Sequence, residues 1–202
     1  MNIAIIGAGN IGGTLAEGWA KKDHRIFFGV RNPDEFKANE LLAKYTAITA
    51  HTVAEAAGQG DIILVSTPAN VVGEVAAQFG DTSGKIIIDT TNAVGMAGYD
   101  PFQVLKETTG STNVIKCFNS TGFENIRNPV YDGQPIDMFM AGDSAEAKAT
   151  VRQLALDMGF GECYDVGGDD KAALLEQFAF FWINLAFGQK WGRDYAIRIA
   201  KR

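Results

Sequence analysis

Residues 7–12 of the chain read Gly7-Ala8-Gly9-Asn10-Ile11-Gly12, three glycines at the spacing of an anion-binding loop. The run follows an apolar stretch, Met1 to Ile6, and opens a segment in which Thr14, Leu15, Ala16, Trp19 and Ala20 recur at helical spacing. In that context each glycine has a distinct physical role. Gly7 permits the tight turn, Gly9 leaves room for a pyrophosphate, and Gly12 lets helix and strand approach closely. The backbone at Asn10 and Ile11 then presents the first N–H groups and the positive end of a helix to the anion.

A second apolar run, Arg25 to Val30, completes a strand-helix-strand unit in about 30 residues. At the end of this strand an Asp or Glu ordinarily accepts hydrogen bonds from the free ribose hydroxyls of NAD. Here the chain has Val30-Arg31-Asn32. No carboxylate repels a 2′-phosphate, and the Arg31 guanidinium can form charge-assisted bonds to one, with Asn32 beside it and Lys37 as auxiliary. The expected ligand is therefore NADP(H).

The remaining strand ends carry hydroxyls and amides. Ser66-Thr67-Pro68 is suited to wall the centre of a dinucleotide, and it is equally suited to stop a strand. Asp89-Thr90-Thr91-Asn92 and Asn119-Ser120-Thr121 end two further strands, and Asn92 and Asn119 are the pair expected to orient reactants. The two histidines, His24 and His51, are expected away from the strand ends of the switch point. No His, Cys or carboxylate cluster has metal-ligand spacing. This inventory suits hydride transfer between bound partners, which chiefly requires positioning.

Those groups need a sheet to hold them. Further strands are expected at Ile48–Thr52, Asp61–Ser66, Lys85–Asp89, Asn113–Phe118, Ile136–Ala141 and Cys163–Val166. Helices are expected at Asp34–Tyr45, Val71–Phe79 and Ala145–Met158, with a C-terminal helical region from Lys171 to about Arg198. Such alternation predicts an α/β, Rossmann-like, doubly wound and mostly parallel sheet. Residues 1–202 read as a single NADP-binding domain with 169–202 as a helical extension.

A net charge of -6 argues against nucleic acid or an anionic membrane as partner. No apolar run approaches the roughly 20 residues that cross a bilayer, and no signal peptide is evident, so a cytoplasmic location is expected. Cys117 and Cys163 lie in apolar runs and read as buried thiols. Phe178, Phe181, Trp182, Leu185 and Ala186 follow helical spacing, while Ala179, Phe180, Ile183 and Phe187 make that helix apolar almost all round. Core packing plus a homodimer interface is the favoured explanation, with a flat aromatic substrate pocket as the other.

The glycine loop, Val30-Arg31-Asn32-Pro33, Asp89-Thr90-Thr91-Asn92 and Phe118-Asn119-Ser120-Thr121-Gly122 together resemble the NADP oxidoreductases dependent on the deazaflavin coenzyme F420. Their N-terminal fold is shared with the cytoplasmic domain of STEAP-type metalloreductases. The resemblance implies NADPH at the glycine loop, Arg31 on the 2′-phosphate, and a small redox acceptor, flavin-like or deazaflavin, stacked near the nicotinamide by the C-terminal part. Two alternatives remain open. One is reduction of a small imine or carbonyl compound, which needs a proton donor that no well-placed Lys or His supplies. The other is a non-catalytic NADPH-binding redox sensor.

Overall fold

The computed structural model describes residues 1–36 and 39–202. Strand β1 (Asn2–Ile6) buries every residue but Asn2, because its side chains alternate between two packed layers. Ile3 and Ile5 enter one core with Leu15, Trp19 and Phe28, whereas Ala4 and Ile6 enter the opposite core with Ile63 and Phe102. The chain turns at Gly7, runs through α1 (Asn10–Ala20), and returns as β2 (Arg25–Val30) parallel to β1.

A 3-10 turn (Pro33–Glu35) and α2 (Asn39–Lys44) lead to edge strand β3 (Ile48–Thr52). Helix α3 (Val53–Gln59) starts immediately, nucleated by a capping box in which Thr52 and Glu55 satisfy each other's backbone N–H. Strand β4 (Ile62–Val65) then pairs with the free side of β1. The strand order reverses there, so the carboxyl ends of β1 and β4 form the crevice where such sheets bind ligands.

A second 3-10 turn (Ala69–Val71) and α4 (Val72–Ala76) precede β5 (Ile86–Asp89), followed by α5 (Pro101–Thr109) and β6 (Val114–Cys117). Next come α6 (Phe123–Arg127) and a small hairpin, β7 (Val130–Tyr131) and β8 (Gln134–Pro135). Strand β9 (Met138–Ala141), α7 (Ala145–Asp157), β10 (Cys163–Asp165) and α8 (Ala172–Ile183) complete the order. The eight-stranded sheet runs β10-β9-β6-β5-β4-β1-β2-β3. Only the β6–β9 contact is antiparallel, so the fold is the expected Rossmann-like, mostly parallel α/β sheet with a helical C-terminal region.

Several expected helices are corrected. The stretch Asp34–Tyr45 is not one continuous helix: Asn32 accepts the Asp34 N–H and closes a short turn before α2. Val71–Phe79 shortens to α4, with a 3-10 turn ahead of it. The C-terminal helix stops well before Arg198. A π turn (Asn184–Gly188) ends it, and positive φ at Lys190 and Gly192 directs the rest into an irregular tail. Asn125 donates to the Tyr195 carbonyl at 2.7 Å and Asp137 accepts from the Ile199 N–H at 2.7 Å, so side chains rather than helical bonds hold that tail.

Candidate functional site

The glycine loop joins β1 to α1 beside the carboxyl end of β4. Gly7 has φ +105°, and a Cβ there would lie 2.6 Å from the Ser66 carbonyl oxygen, so conformation and space both demand glycine. A Cβ at Gly12 would lie 2.2 Å from the Gly7 carbonyl oxygen and 3.1 Å from Ile5. Gly9 differs, since a Cβ there would meet no atom within 4 Å. Among the described residues no neighbour closes off that position.

The first turn of α1 has no side-chain cap and no acidic residue. Its N–H groups at Asn10 and Ile11 therefore keep their positive field for an anion. Gly7, Arg31, Thr52, Thr67 and Pro68 line a groove of about 550 Å³. Arg31 is exposed at the end of β2, the Thr67 hydroxyl is buried without a hydrogen-bond partner, and Ser66 stands behind the loop close to Gly12. Asn32 spends its carbonyl oxygen on the Asp34 N–H. Lys37 lies outside the described residues. A loop open at Gly9, an uncapped helix start and an orphaned hydroxyl together fit a dinucleotide.

The expected asparagine pair is in direct contact. Asn92 donates to the Asn119 carbonyl at 2.9 Å, and Asn119 donates to Asn92 Oδ1 at 3.0 Å and to the Leu175 carbonyl of α8 at 3.3 Å. Asn119 follows Phe118, a fully buried aromatic with φ +59° that packs edge-on against Trp19 at 5.7 Å. A left-handed conformation at a bulky residue costs about 1–2 kcal/mol, and here burial enforces it.

A buried ion network escaped the sequence reading. Lys116, second to last in β6, donates to Asp89 at 2.8 Å and to the Thr91 carbonyl at 2.6 Å, and pairs with Glu176 of α8 at 2.9 Å. Burial pushes its ammonium down, but the two carboxylates outweigh that and hold it above the ordinary lysine range. Glu176 also accepts the Ala93 N–H, while Asp89 accepts from the Thr91 backbone and hydroxyl. The expectation that no lysine stands near these strand ends is corrected. A Lys interrupting the apolar run Val114 to Phe118 was the available signal, but its acid on α8 lies 60 residues away.

Beside the network a cavity of about 520 Å³ opens between the loop after β5 and α8. Ala93, Tyr99, Phe102, Lys116, Glu176 and Phe180 contribute to its wall. The histidines are elsewhere. His24 sits between the Met1 amino group and Asp157 at 3.2 and 2.9 Å. His51 lies near the carboxyl end of edge strand β3, away from the reversal point as expected, where it contacts the Thr49 hydroxyl at 2.8 Å. Among the described residues no group of His, Cys, Asp and Glu could hold a metal ion, and no helix is long and apolar enough to cross a membrane.

Residues 2–93 match the family model described as NADP oxidoreductase, coenzyme F420-dependent. The family resembled by the sequence motifs is the one matched. The matched segment of this F420-dependent NADP oxidoreductase family runs from β1 to the residue after Asn92, and so spans the glycine loop, Arg31 and the reversal point. No curated protein matches the chain. Among solved structures, a provisionally assigned F420-dependent NADP reductase from Arthrobacter sp. FB24 superposes with TM-score 0.87 at 22% identity, covering 100% of both chains. A reductive aminase from Aspergillus terreus, in complex with NADPH4, cyclohexanone and allyl amine, gives 0.72 at 17% identity over 95% of this chain and 62% of its own. Pyrroline carboxylate reductase from Plasmodium falciparum, with NADP bound, gives 0.59 at 14% identity over 97% of this chain and 71% of its own. At these identities the likeness shows the fold.

Proposed function

We propose that the protein is an NADP(H)-dependent oxidoreductase that moves a hydride between the nicotinamide ring and a small acceptor beside Asn92 and Asn119. The observation that carries this reading is the groove at the sheet's reversal point, lined by Gly7, which leads into the uncapped start of α1, and by Arg31 in place of a ribose-binding carboxylate. Gly7, Gly9, Asn10, Ile11 and Gly12 hold the pyrophosphate. Arg31, with Asn32 and Lys37 nearby, takes the 2′-phosphate, and Ser66, Thr67, Pro68 and Asn92 wall the remainder. NADPH, when bound, supplies two electrons and a proton as hydride.

The family match supports a flavin-like or deazaflavin partner, coenzyme F420, as acceptor. A second reading, reduction of a small imine or carbonyl compound, gains from the buried Lys116 network at the cavity wall. A homodimer contact on α8 and the π turn after it fits Phe181 and Phe187, both more than half exposed, and the single domain with its extension from residue 169 belongs to the same reading. The free buried cysteines, Cys117 and Cys163, suit a reducing, cytoplasmic setting.

Anaerobic NADPH oxidation with the deazaflavin coenzyme, FMN and a cyclic imine in parallel tests the assignment. Oxidation with any one establishes the enzyme and names the acceptor class. NADPH bound but consumed by none of them would favour the sensor.

A further inference from the structure

The ion network at the cavity wall does not balance. Two carboxylates, Asp89 and Glu176, share the one ammonium of Lys116, at 2.8 and 2.9 Å. Asp89 and Lys116 are completely or almost completely buried, so water does little to screen the surplus negative charge. Among the described residues the cavity lining adds no second cation and does add Asp100. Of the two helix starts bordering the cavity, that of α5 is capped by Asp100, and that of α8 has no side-chain cap but follows Asp169 and Asp170.

The lining also includes Tyr99, Phe102 and Phe180, and aromatic side chains are the kind that take an organic cation favourably once it is desolvated. The cavity shares no lining residue with the dinucleotide groove, yet it begins at Ala93, the residue after Asn92.

We propose that this cavity binds a small organic monocation of the iminium class, and that this cation is the hydride acceptor. The inference rests on the hydride-transfer reading above and names its acceptor. The surplus carboxylate charge favours the protonated form of an imine over its neutral form. In the reaction the iminium carbon gains a hydride, the C=N π pair moves onto nitrogen to leave a neutral amine, and NADPH becomes NADP⁺. No proton donor is required at that step, which removes the objection that the sequence raised against imine reduction.

The test uses N-methyl-3,4-dihydroisoquinolinium, whose charge is permanent, and 2-tetralone as a neutral carbonyl analogue of similar size. Calorimetry on the full chain is expected to show the cation binding about tenfold or more tighter than the ketone. Glu176→Gln is expected to lose most of that preference while keeping NADPH affinity. Anaerobically, one NADPH is expected to be oxidised for each iminium reduced. Equal affinity for cation and ketone would overturn the proposal, as would a preference untouched by Glu176→Gln in a folded variant, or bound NADPH that the iminium fails to oxidise. Should NADPH itself not bind, the glycine-loop reading fails, while the wild-type comparison of cation and ketone still decides the cavity.

Discussion

Asn119 donates its side-chain amide to Asn92 Oδ1 at 3.0 Å, and Asn92 returns a bond to the Asn119 carbonyl at 2.9 Å. This reciprocal pair joins the carboxyl ends of β5 and β6, and the third bond of Asn119, to the Leu175 carbonyl, ties both to α8. The two acceptors, Asn92 Oδ1 and the Leu175 carbonyl, also fix the amide's orientation, because a flipped Asn119 would face both with its own acceptor oxygen.

Asn119→Asp performs that exchange permanently. A carboxylate would sit against Asn92 Oδ1 and the Leu175 carbonyl with its donor gone, at a position only 4% exposed. The variant is expected to lose about 1–3 kcal/mol in urea unfolding at neutral pH. Stability equal to wild type would mean that the pair does not hold the strand ends together.

Lys116→Met separates network from core. The side chain that replaces it is apolar and similar in length, but Asp89 and Glu176 would be left as like charges without their cation. About 3–5 kcal/mol of stability is expected to go, the cost of stranding buried charge. In the wild type the raised folded pKa means that the network's contribution is complete below the ordinary lysine value near 10.5 and fades as pH rises through the folded value. Alkaline unfolding curves of the two proteins should therefore converge at high pH.

Glu17 gives the acid-side counterpart. Its carboxyl is held down at about 2, first by a hydrogen bond from Lys44, with burial opposing and Tyr45 and Lys21 assisting. The stability it contributes is present above the ordinary glutamate value of 4.5 and is lost as pH falls through about 2. Glu17→Gln should be less stable than wild type at pH 6 and indistinguishable from it below pH 2, as read by thermal unfolding across that range.

The glycines of the loop are expected to divide into two kinds. Gly12→Ala forces a Cβ against the Gly7 carbonyl and should cost about 1–3 kcal/mol in thermal or urea unfolding. Gly9→Val meets no protein atom from its Cβ and should fold like wild type, yet bind neither NADPH nor NADH. Retained dinucleotide affinity in Gly9→Val would show that the open space before this residue is not where a pyrophosphate lies.

The first strand-helix-strand unit was legible because its signals are local. Apolar runs of strand length flank glycines whose spacing has a stereochemical reason, and the β1 to β2 pairing follows from a short crossover. Helix α3 was not legible, since it begins on the residue after β3 with no turn between them, and its N-cap, Thr52, is also the last residue of the strand. The C-terminal helix was overextended because apolar periodicity continues past Gly188, whereas backbone reversals at Lys190 and Gly192 end it. At the site, Arg31, Asn92 and Asn119 could be chosen from strand-end position alone. Glu176 could not, because only the packing of α8 over β6 brings it to Lys116.

The most direct test of the central claim is calorimetric titration of wild type and Arg31→Ala with NADPH and with NADH. If Arg31 reads the 2′-phosphate, the variant loses about 1.5–3 kcal/mol of NADPH affinity, the scale of a hydrogen bond to a charged group, and almost none for NADH. Equal losses for the two cofactors, or none for either, would contradict the assignment of this groove to NADP(H).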